Sequence, residues 1–182
     1  MVSTDDKEIA DIAQYYGAKV PFLRSAKTSN DFATTADVIV EVLSEYEKLG
    51  RKFDNICCIY STAPFVTPDR LSEAFKKINE GIDSVFTIVP FSYPVQRSLK
   101  FVDGKKVRLV YPEFLNSRTQ DLEPIYHDAG QFYVSKVGSF MRSKTFWVDN
   151  TTALILSDLE VQDLDTLTDW KLAEMKYKLL HN

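Results

Sequence analysis

The stretch that decides the fold is Asn55-Ile-Cys-Cys-Ile-Tyr-Ser-Thr-Ala-Pro-Phe-Val-Thr-Pro-Asp69. Its first six residues form a mostly apolar run of strand length, which is typical of a strand covered on both faces in a parallel sheet. Polar residues follow at 61–64, and Thr67 and Pro68 then predict the N-cap and the first position of a helix. The stretch therefore predicts one strand–loop–helix unit of an α/β fold.

Similar units occupy the chain on both sides of this stretch. Apolar spacing predicts helices at about 9–16, 34–48 and 166–180, and apolar runs predict strands at 83–89, 130–135 and 152–156. Asp103-Gly104, between two short strands, predicts a hairpin turn, and the polar segment 111–128 follows it. We therefore expect a single α/β domain over residues 1–182. It should have a mostly parallel sheet, helices on both faces, and an inserted hairpin and polar loop at about 98–128.

The composition limits the class of protein. The chain has 182 residues, of which 45% are apolar and 26% charged, and these fractions are ordinary for a globular domain. A net charge of −4 argues against a general nucleic-acid binder, although a nucleotide needs only a few local cations. No apolar stretch has the length of a membrane helix and no secretory signal is evident, so we expect no membrane partner and a cytoplasmic location.

Two adjacent cysteines, Cys57 and Cys58, lie within the apolar run. Because neighbouring strand residues point to opposite faces, the two thiols are poorly placed to form a disulfide with each other. The cysteine and histidine spacing does not match a zinc site. We expect both cysteines to act as small buried apolar residues in a reducing compartment.

Asp163 and Asp165 stand one residue apart, where an apolar run gives way to a helix start. Two carboxylates in this arrangement suit Mg²⁺, which takes oxygen ligands and bridges to substrate phosphates. The alternative is that one of them caps the helix. Polar segments at 3–6 and 61–64 also follow predicted strands, and ligands of α/β folds bind at the carboxyl ends of strands. This shared position favours the metal site.

Seven segments, in this order, resemble the sugar-acid cytidylyltransferases, the family of the CMP-sialic acid synthetases. They are Val2-Ser-Thr-Asp-Asp6, Tyr16-Gly-Ala-Lys-Val-Pro-Phe-Leu-Arg24, Asn30-Asp-Phe-Ala-Thr-Thr35, Tyr60-Ser-Thr-Ala-Pro64, Gln120-Asp-Leu-Glu-Pro124, Tyr126-His-Asp-Ala-Gly-Gln-Phe-Tyr133 and Glu160-Val-Gln-Asp-Leu-Asp-Thr166. The run from Tyr126 to Tyr133 is similar to the pseudaminic acid branch of the family. The resemblance implies a Rossmann-like nucleotide-diphospho-sugar transferase fold.

The resemblance also implies an activity. Members of the family transfer CMP from CTP to a nine-carbon (nonulosonic) sugar acid, with Mg²⁺ and with release of pyrophosphate, and they are expected to be homodimers. On this basis Asp163 and Asp165 are the expected catalytic metal ligands. The expected nucleotide-binding residues are Arg24, Asp31, Thr34, Thr35 and Tyr60.

Among these, Arg24 matches the cation that faces the triphosphate, although it could instead pair with Asp31. Asp31 is acidic, so capping of the 34–48 helix is its more natural task. The residues expected to bind the sugar acid are Gln96, Arg97, His127 and Gln131. A lone histidine in a polar loop is equally often structural, so both roles stay open for His127.

The sequence departs from the family at its start. Family members begin with a strand, a loop of the Ala-Arg-Gly-Gly-Ser-Lys type and a helix, whereas Met1-Val2-Ser3 falls within what the family would make its second strand. The resemblance therefore implies an N-terminally shortened enzyme that lacks the first strand and the phosphate loop. We expect an exposed strand edge or pairing with another chain, and weak or no CTP turnover by these 182 residues.

Two other functions remain open from the sequence. An Asp-x-Asp pair also occurs in glycosyltransferases that use a nucleotide sugar, and product analysis with CTP and a sugar acid would separate the two. The third possibility is a non-catalytic module that binds a sugar acid or a protein partner. Calorimetry with Mg²⁺ and CTP would distinguish it, because such a module would bind no nucleotide.

Overall fold

The computed structural model describes residues 1–181 as helices and strands joined by short loops. The helices are α1 (Lys7–Tyr15), α2 (Thr35–Lys48), α3 (Pro68–Asn79), α4 (Val137–Ser143) and α5 (Leu167–His181). The strands are β1 (Asn55–Ile59), β2 (Ser84–Pro90), β3 (Leu99–Val102), β4 (Lys106–Leu109), β5 (Tyr126–Lys136) and β6 (Thr151–Ile155). The alternation of helix and strand confirms the predicted α/β class.

The central sheet has four strands in the order β1-β5-β2-β6. Strand β5 runs antiparallel to both β1 and β2, whereas β2 and β6 are parallel. Three strands therefore share one direction, but the sheet is mixed and the prediction of a mostly parallel sheet is wrong in this respect. The reason is that β5 follows the hairpin and the polar segment. Residues 91–125, which the structure describes between β2 and β5, contain no α-helix that could form the crossover of a parallel return.

Helices cover both faces of the sheet, as predicted. On one face, α3 contributes Ala74 and Ile78 to a core that also contains Val85 of β2. On the other face, α2 and α4 pack against Phe86, the next residue of β2. Because successive strand residues point to opposite faces, Val85 and Phe86 join separate cores, and β2 is buried on both sides.

Strand β1 is an edge strand among the described residues, and it is only partly buried. Cys58 packs into the core beneath α2, whereas Cys57 is exposed, so the prediction that both cysteines are buried is wrong for Cys57. Both thiols are free. The apolar run in this stretch therefore reflects one covered face and not two.

Helix starts agree closely with the capping residues in the sequence. Thr67 accepts a hydrogen bond from the Arg70 N–H and is followed by Pro68, as predicted. In α1 the cap is Asp6. The apolar residues that predicted a buried face for α1, Ile9 and Ile12, are about half exposed, so that face is not part of the core.

Strands β3 and β4 form a separate two-stranded hairpin. Asp103 and Gly104 both have positive φ at its turn, which confirms the predicted hairpin signal. The polar segment that follows contains two short 3₁₀ turns, and its last residues, from Tyr126, belong to β5. No helix within residues 1–181 combines the length and the apolar character needed to cross a membrane.

Candidate functional site

The carboxyl ends of β1, β2 and β6 meet the beginning of β5 at one edge of the sheet. The Tyr60 N–H donates to the Gln131 carbonyl at 3.0 Å. At β2, Val89 pairs with His127, and the Leu156 N–H after β6 donates to the Ile88 carbonyl at 2.8 Å. Predicted site residues on separate strands thus come to the same edge, which is where α/β folds bind ligands.

An open cavity of about 410 Å³ lies between α2 and β1, and we call it the α2–β1 groove. Its walls include residues 1–3, the apolar side of α2 and residues 56–61. Three of the predicted nucleotide-binding residues, Arg24, Thr35 and Tyr60, line it together. The Thr35 Oγ1 and Tyr60 Oη atoms are 3.1 Å apart and share a hydrogen bond, so the helix and the strand are joined at the groove.

Arg24 is held at the groove by an ion pair with Asp5, at 3.1 Å. This contact lowers the pKa of the Asp5 carboxyl below its ordinary value. The Arg24 Nε atom is buried and has no partner among the described residues, so part of the guanidinium remains available for an anion. The alternative pairing of Arg24 with Asp31 is wrong, because Asp5 takes that place.

Thr34 is the N-cap of α2, and it exchanges hydrogen bonds with Asp37 in a capping box. The Thr34 hydroxyl donates to Asp37 at 2.6 Å, and these bonds lower the pKa of the Asp37 carboxyl. Asp31 is exposed in the preceding turn, so the prediction that it caps α2 is wrong. Thr34 directly precedes the first helical residue and fills the cap position itself.

His127 is the second residue of β5 and lies beside the end of β2, where its ring packs on Phe91 with centroids 4.8 Å apart. Its Nδ1 atom is 2.9 Å from the Asp128 carbonyl oxygen, and the side chain remains exposed. Gln131, by contrast, is only 2% exposed, and its Oε1 atom has no partner among the described residues. His127 is therefore open to a ligand, whereas Gln131 is enclosed beneath the same edge.

Gln96 and Arg97 contact the polar segment that follows the hairpin. The Gln96 Nε2 atom donates to the Glu123 carbonyl at 2.9 Å, while its Oε1 is buried without a partner among the described residues. Arg97 donates to the carbonyls of Leu115 and Ser117. Both residues hold this segment in place beside a second open cavity of about 620 Å³, which Gln96 lines. Their predicted contacts with a sugar acid stay predictions.

Asp163 and Asp165 are both exposed on the segment between β6 and α5. Val161, two residues earlier, packs against the ends of the strands, and the Lys176 Nζ atom anchors its carbonyl at 2.6 Å. The start of α5 is capped by Thr166, whose N–H and hydroxyl donate to Asp169 at 2.8 and 2.7 Å. Neither Asp163 nor Asp165 is thus needed as the cap, and the capping alternative loses its support.

The family resemblance implies a magnesium ion, and the residues present were compared with what it requires. Residues 1–181 contain no cluster of three or more histidine, cysteine or acidic side chains suited to a metal. Mg²⁺ is nevertheless commonly held by one or two carboxylates together with substrate phosphates and water. The Asp163 Oδ1 atom accepts one bond from the Leu164 N–H at 3.0 Å. This exposed pair fits such a shared site.

Asp128 and Tyr133 form a part of the site that the sequence analysis missed. The Tyr133 hydroxyl donates to Asp128 Oδ2 at 2.7 Å, and Asp128 Oδ1 accepts from the Gly130 N–H at 2.9 Å. They flank a bulge in which residues 129–132 of β5 lie opposite the single residue Thr87 of β2. Bulges often re-aim side chains beside active sites, and an aspartate two residues before a glycine was the available signal.

Comparison with known proteins places this site in a family. The sequence model of the family described as cytidylyltransferase matches residues 1–146. The chain is similar to the pseudaminic acid cytidylyltransferase of Campylobacter jejuni, with 32% identity over 182 residues that cover 100% of this chain and 78% of the relative. It is also 31% identical to the CMP-N,N'-diacetyllegionaminic acid synthase of Legionella pneumophila, over 98% of this chain and 78% of that protein.

Solved structures agree on the fold. The CTP complex of CMP:2-keto-3-deoxy-manno-octonic acid synthetase superposes with a TM-score of 0.62 at 12% identity, covering 99% of this chain and 80% of that one. A 4-diphosphocytidyl-2C-methyl-D-erythritol synthase gives a TM-score of 0.59 at 14% identity, over 95% and 79% of the two chains. Together with the sequence matches over most of the chain, this shows that the protein belongs to the cytidylyltransferase family.

Proposed function

We propose that the protein transfers CMP from CTP to the anomeric hydroxyl of a nine-carbon sugar acid of the pseudaminic or sialic type, with release of pyrophosphate. The observation that carries the proposal is the α2–β1 groove, where Arg24, Thr35 and Tyr60 meet in a member of the cytidylyltransferase family. The similarity to relatives that act on pseudaminic and legionaminic acids supports the sugar-acid class of acceptor.

The groove suits the nucleotide for reasons of charge. Arg24 brings a guanidinium whose planar donors match phosphate oxygens, and one of its nitrogens has no partner among the described residues. The N-terminus of α2 begins beside it at Thr35, and a helix N-terminus favours anions through its free N–H groups. Asp31 and Thr34 lie in the turn that leads into this helix, and we assign them to the outer part of the nucleotide site.

Asp163 and Asp165 would hold the magnesium ion between their carboxylates and the phosphates of the nucleotide. When bound, the ion supplies neutralisation of phosphate charge and activation of the attacking hydroxyl. The chain itself contributes the anchoring of this segment, through Val161 and Lys176, beside the ends of the strands. The anchoring holds Val161 beside the end of β2 and the beginning of β5, the part of the edge that carries His127.

We assign the sugar acid to the side of the edge formed by β2 and the start of β5. His127 is exposed there, and Gln131, Gln96 and Arg97 lie deeper or brace the polar segment. A cytoplasmic location and a homodimer are part of the same proposal. The hairpin favours a dimer, because two isolated strands are marginally stable in water without a partner surface.

The test is incubation of the purified chain with CTP, Mg²⁺ and, separately, pseudaminic, legionaminic and sialic acids. Mass spectrometry detects the CMP-sugar, and a coupled assay detects pyrophosphate. Calorimetric measurement of CTP binding accompanies the assay. We expect CTP to bind only weakly without Mg²⁺, and a CMP-sugar to form with at least one acid.

Asp163→Asn and Asp165→Asn should each remove most of the Mg²⁺-dependent gain in CTP affinity, because each loses a charged oxygen ligand. Asp158→Asn, a nearby exposed acid on the preceding 3₁₀ turn, is the matched control and should bind CTP as the unaltered chain does. The metal site would be contradicted if Mg²⁺ increased the CTP affinity of both Asp163→Asn and Asp165→Asn as much as it does for the unaltered chain. Absence of any CTP binding to the unaltered chain would contradict the proposed function itself.

A further inference from the structure

A chain of side chains joins the α2–β1 groove to the sugar side of the sheet edge. Thr35 Oγ1 and Tyr60 Oη share a hydrogen bond of 3.1 Å at the groove. The Tyr60 ring packs on the Tyr133 ring, with centroids 5.3 Å apart and planes tilted by 52°. Tyr133 in turn donates its hydroxyl to Asp128 at 2.7 Å. Asp128 is thus connected to the groove through two aromatic rings.

The connection is rigid because most of its members are enclosed. Tyr133 is 6% exposed and packs on two further rings besides Tyr60, namely Phe86 and Phe146, the latter in a stacked contact of 5.0 Å. The Asp128 carboxylate is itself fixed by the Gly130 N–H, across a backbone turn in which Gly130 has a φ of 60°. Because each oxygen of the Asp128 carboxylate has a hydrogen-bond partner, the Tyr133 hydroxyl is held in one orientation.

Electrostatics agree with this geometry. Burial raises the pKa of the Tyr133 phenol well above its ordinary value, and the Asp128 carboxylate and then Tyr60 raise it further. Tyr133 therefore stays protonated and remains a donor at neutral pH. Because its single proton points to Asp128, the Tyr133 oxygen presents only lone pairs to its other neighbours. The Tyr60 hydroxyl, at the groove, is among those neighbours.

From this arrangement we propose that Asp128 is a positioning residue for nucleotide binding. It fixes the Tyr133 ring, and that ring holds Tyr60 and its bond to Thr35 at the wall of the α2–β1 groove. Asp128 acts through these side chains and is not itself a nucleotide ligand. The inference rests on the proposed function, because it takes the groove to be the CTP site.

The test measures CTP affinity and the Tyr60 environment in the same variants. Asp128→Asn removes the charge but keeps the size, and Tyr133→Phe removes the donated proton. Each should weaken CTP binding by about threefold to tenfold, which is the range of one ordinary intramolecular hydrogen bond. The double variant should bind no more weakly than the worse single variant, because both changes break the same contact.

Asp11→Asn and Tyr15→Phe, at exposed positions of α1, are the matched controls and should bind CTP unchanged. Thermal unfolding of every variant separates loss of affinity from loss of folded protein. The second readout is carbon NMR of ring-labelled tyrosine, with the Tyr60 signal assigned by Tyr60→Phe. We expect Asp128→Asn to shift the Tyr60 signal without any nucleotide present, while Asp11→Asn leaves it in place.

The two readouts distinguish failure of this proposal from failure of the proposed function. If the unaltered chain binds no CTP, the proposed function fails, and the Tyr60 signal alone decides whether Asp128 positions that side chain. The positioning role is overturned if Asp128→Asn leaves the Tyr60 signal unchanged. It is also overturned if CTP binds the unaltered chain and the Asp128→Asn variant equally, or if the two single losses are additive in the double variant.

Discussion

Two acidic patterns in this chain lie at helix starts but have different tasks. Asp37 and Asp169 lie three residues after a threonine cap and accept its hydrogen bonds, so their charges stabilise the helix starts. Asp163 and Asp165 lie before the cap and are not used by it. The difference shows that a residue's position relative to the N-cap, and not its type alone, determines whether a carboxylate remains available to a ligand.

Cys58 carries a prediction at the same scale. Its burial beneath α2 raises the pKa of the thiol to about 11, whereas Cys57 is exposed. Since the thiolate is the reactive form, alkylation of Cys58 by iodoacetamide at pH 7.5 should be about a hundredfold slower than for an unperturbed cysteine. Mass spectrometry over time measures the rate, and the chain unfolded in urea is the control. Equal rates in folded and unfolded protein would refute the prediction.

At the scale of elements, α3 is tied to the turn that precedes Asp163 and Asp165. Arg70 donates from Nε and Nη2 to the two oxygens of Glu160, at 2.8 and 3.1 Å. Glu160 also accepts from the N–H and hydroxyl of Ser157, in a capping box. One carboxylate thus joins a helix on the face of the sheet to the loop after β6, and this loop leads to Asp163.

The contact between Arg70 and Glu160 predicts that the stability of the protein depends on pH. The Arg70 guanidinium, with smaller help from Ser157, lowers the pKa of Glu160 from 4.5 to about 2. A carboxyl with a lowered pKa contributes stability above its unfolded pKa, and that contribution is lost as pH falls from about 4.5 to about 2. Glu160→Gln should therefore lower the unfolding free energy at pH 7 by about 1–2 kcal/mol, after allowance for partial exposure, and by almost nothing near pH 2.

Denaturant unfolding at pH 7, 4 and 2.5 measures the effect. Glu73→Gln is the matched control, because Glu73 also pairs with Arg70 at 3.0 Å but is more exposed than Glu160. Glu73→Gln should lower the free energy of unfolding by no more than about 0.5 kcal/mol, as is usual for exposed pairs. If Glu160→Gln lowers the free energy of unfolding by the same amount at pH 2.5 as at pH 7, the contact stabilises the protein through packing and not through charge.

At the scale of the whole molecule, local signals were sufficient for most helices and strands, but not for the short helix α4 or for the pairing of the strands. Thr67-Pro68 predicted the start of α3, and the run at 83–89 predicted β2, observed as Ser84–Pro90. The direction of β5 depends on contacts with β1 and β2, which its own residues do not encode locally. The short helix α4 was missed, because its seven residues give too little periodicity.

The same limit applies to the candidate site. The family resemblance predicted that Arg24, Thr35 and Tyr60 belong to one site, and the three residues do line the same groove. The ion pair between Arg24 and Asp5 was not predictable, since it joins two loops whose geometry depends on the packed structure. The bond between Asp128 and Tyr133 depends on the bulge in β5, and a bulge has no firm sequence pattern.

The proposed homodimer gives a prediction for the complete assembly. The hairpin exposes apolar side chains on its strands, with Leu99 62% and Phe101 73% exposed. Phe101→Lys should lower the apparent mass by half in light scattering coupled to size exclusion, because a charge would be buried without a partner in the interface. Tyr15→Lys, at a position of α1 that is 84% exposed, should leave the mass unchanged. A monomeric unaltered chain at micromolar concentration would contradict the dimer.

The insertion of β5 between β1 and β2 has a consequence for how the protein is made. Ile59 pairs with Phe132, which lies about seventy residues later in the sequence. One edge of β2 also pairs with β5 and stays unpaired until β5 has been synthesised. During synthesis, β1 and β2 leave the ribosome before the strand that joins them exists. Pairings so distant in sequence form slowly and leave apolar segments exposed meanwhile. We therefore expect yield in cells to depend on chaperone supply and growth temperature more strongly than the equilibrium stability would suggest.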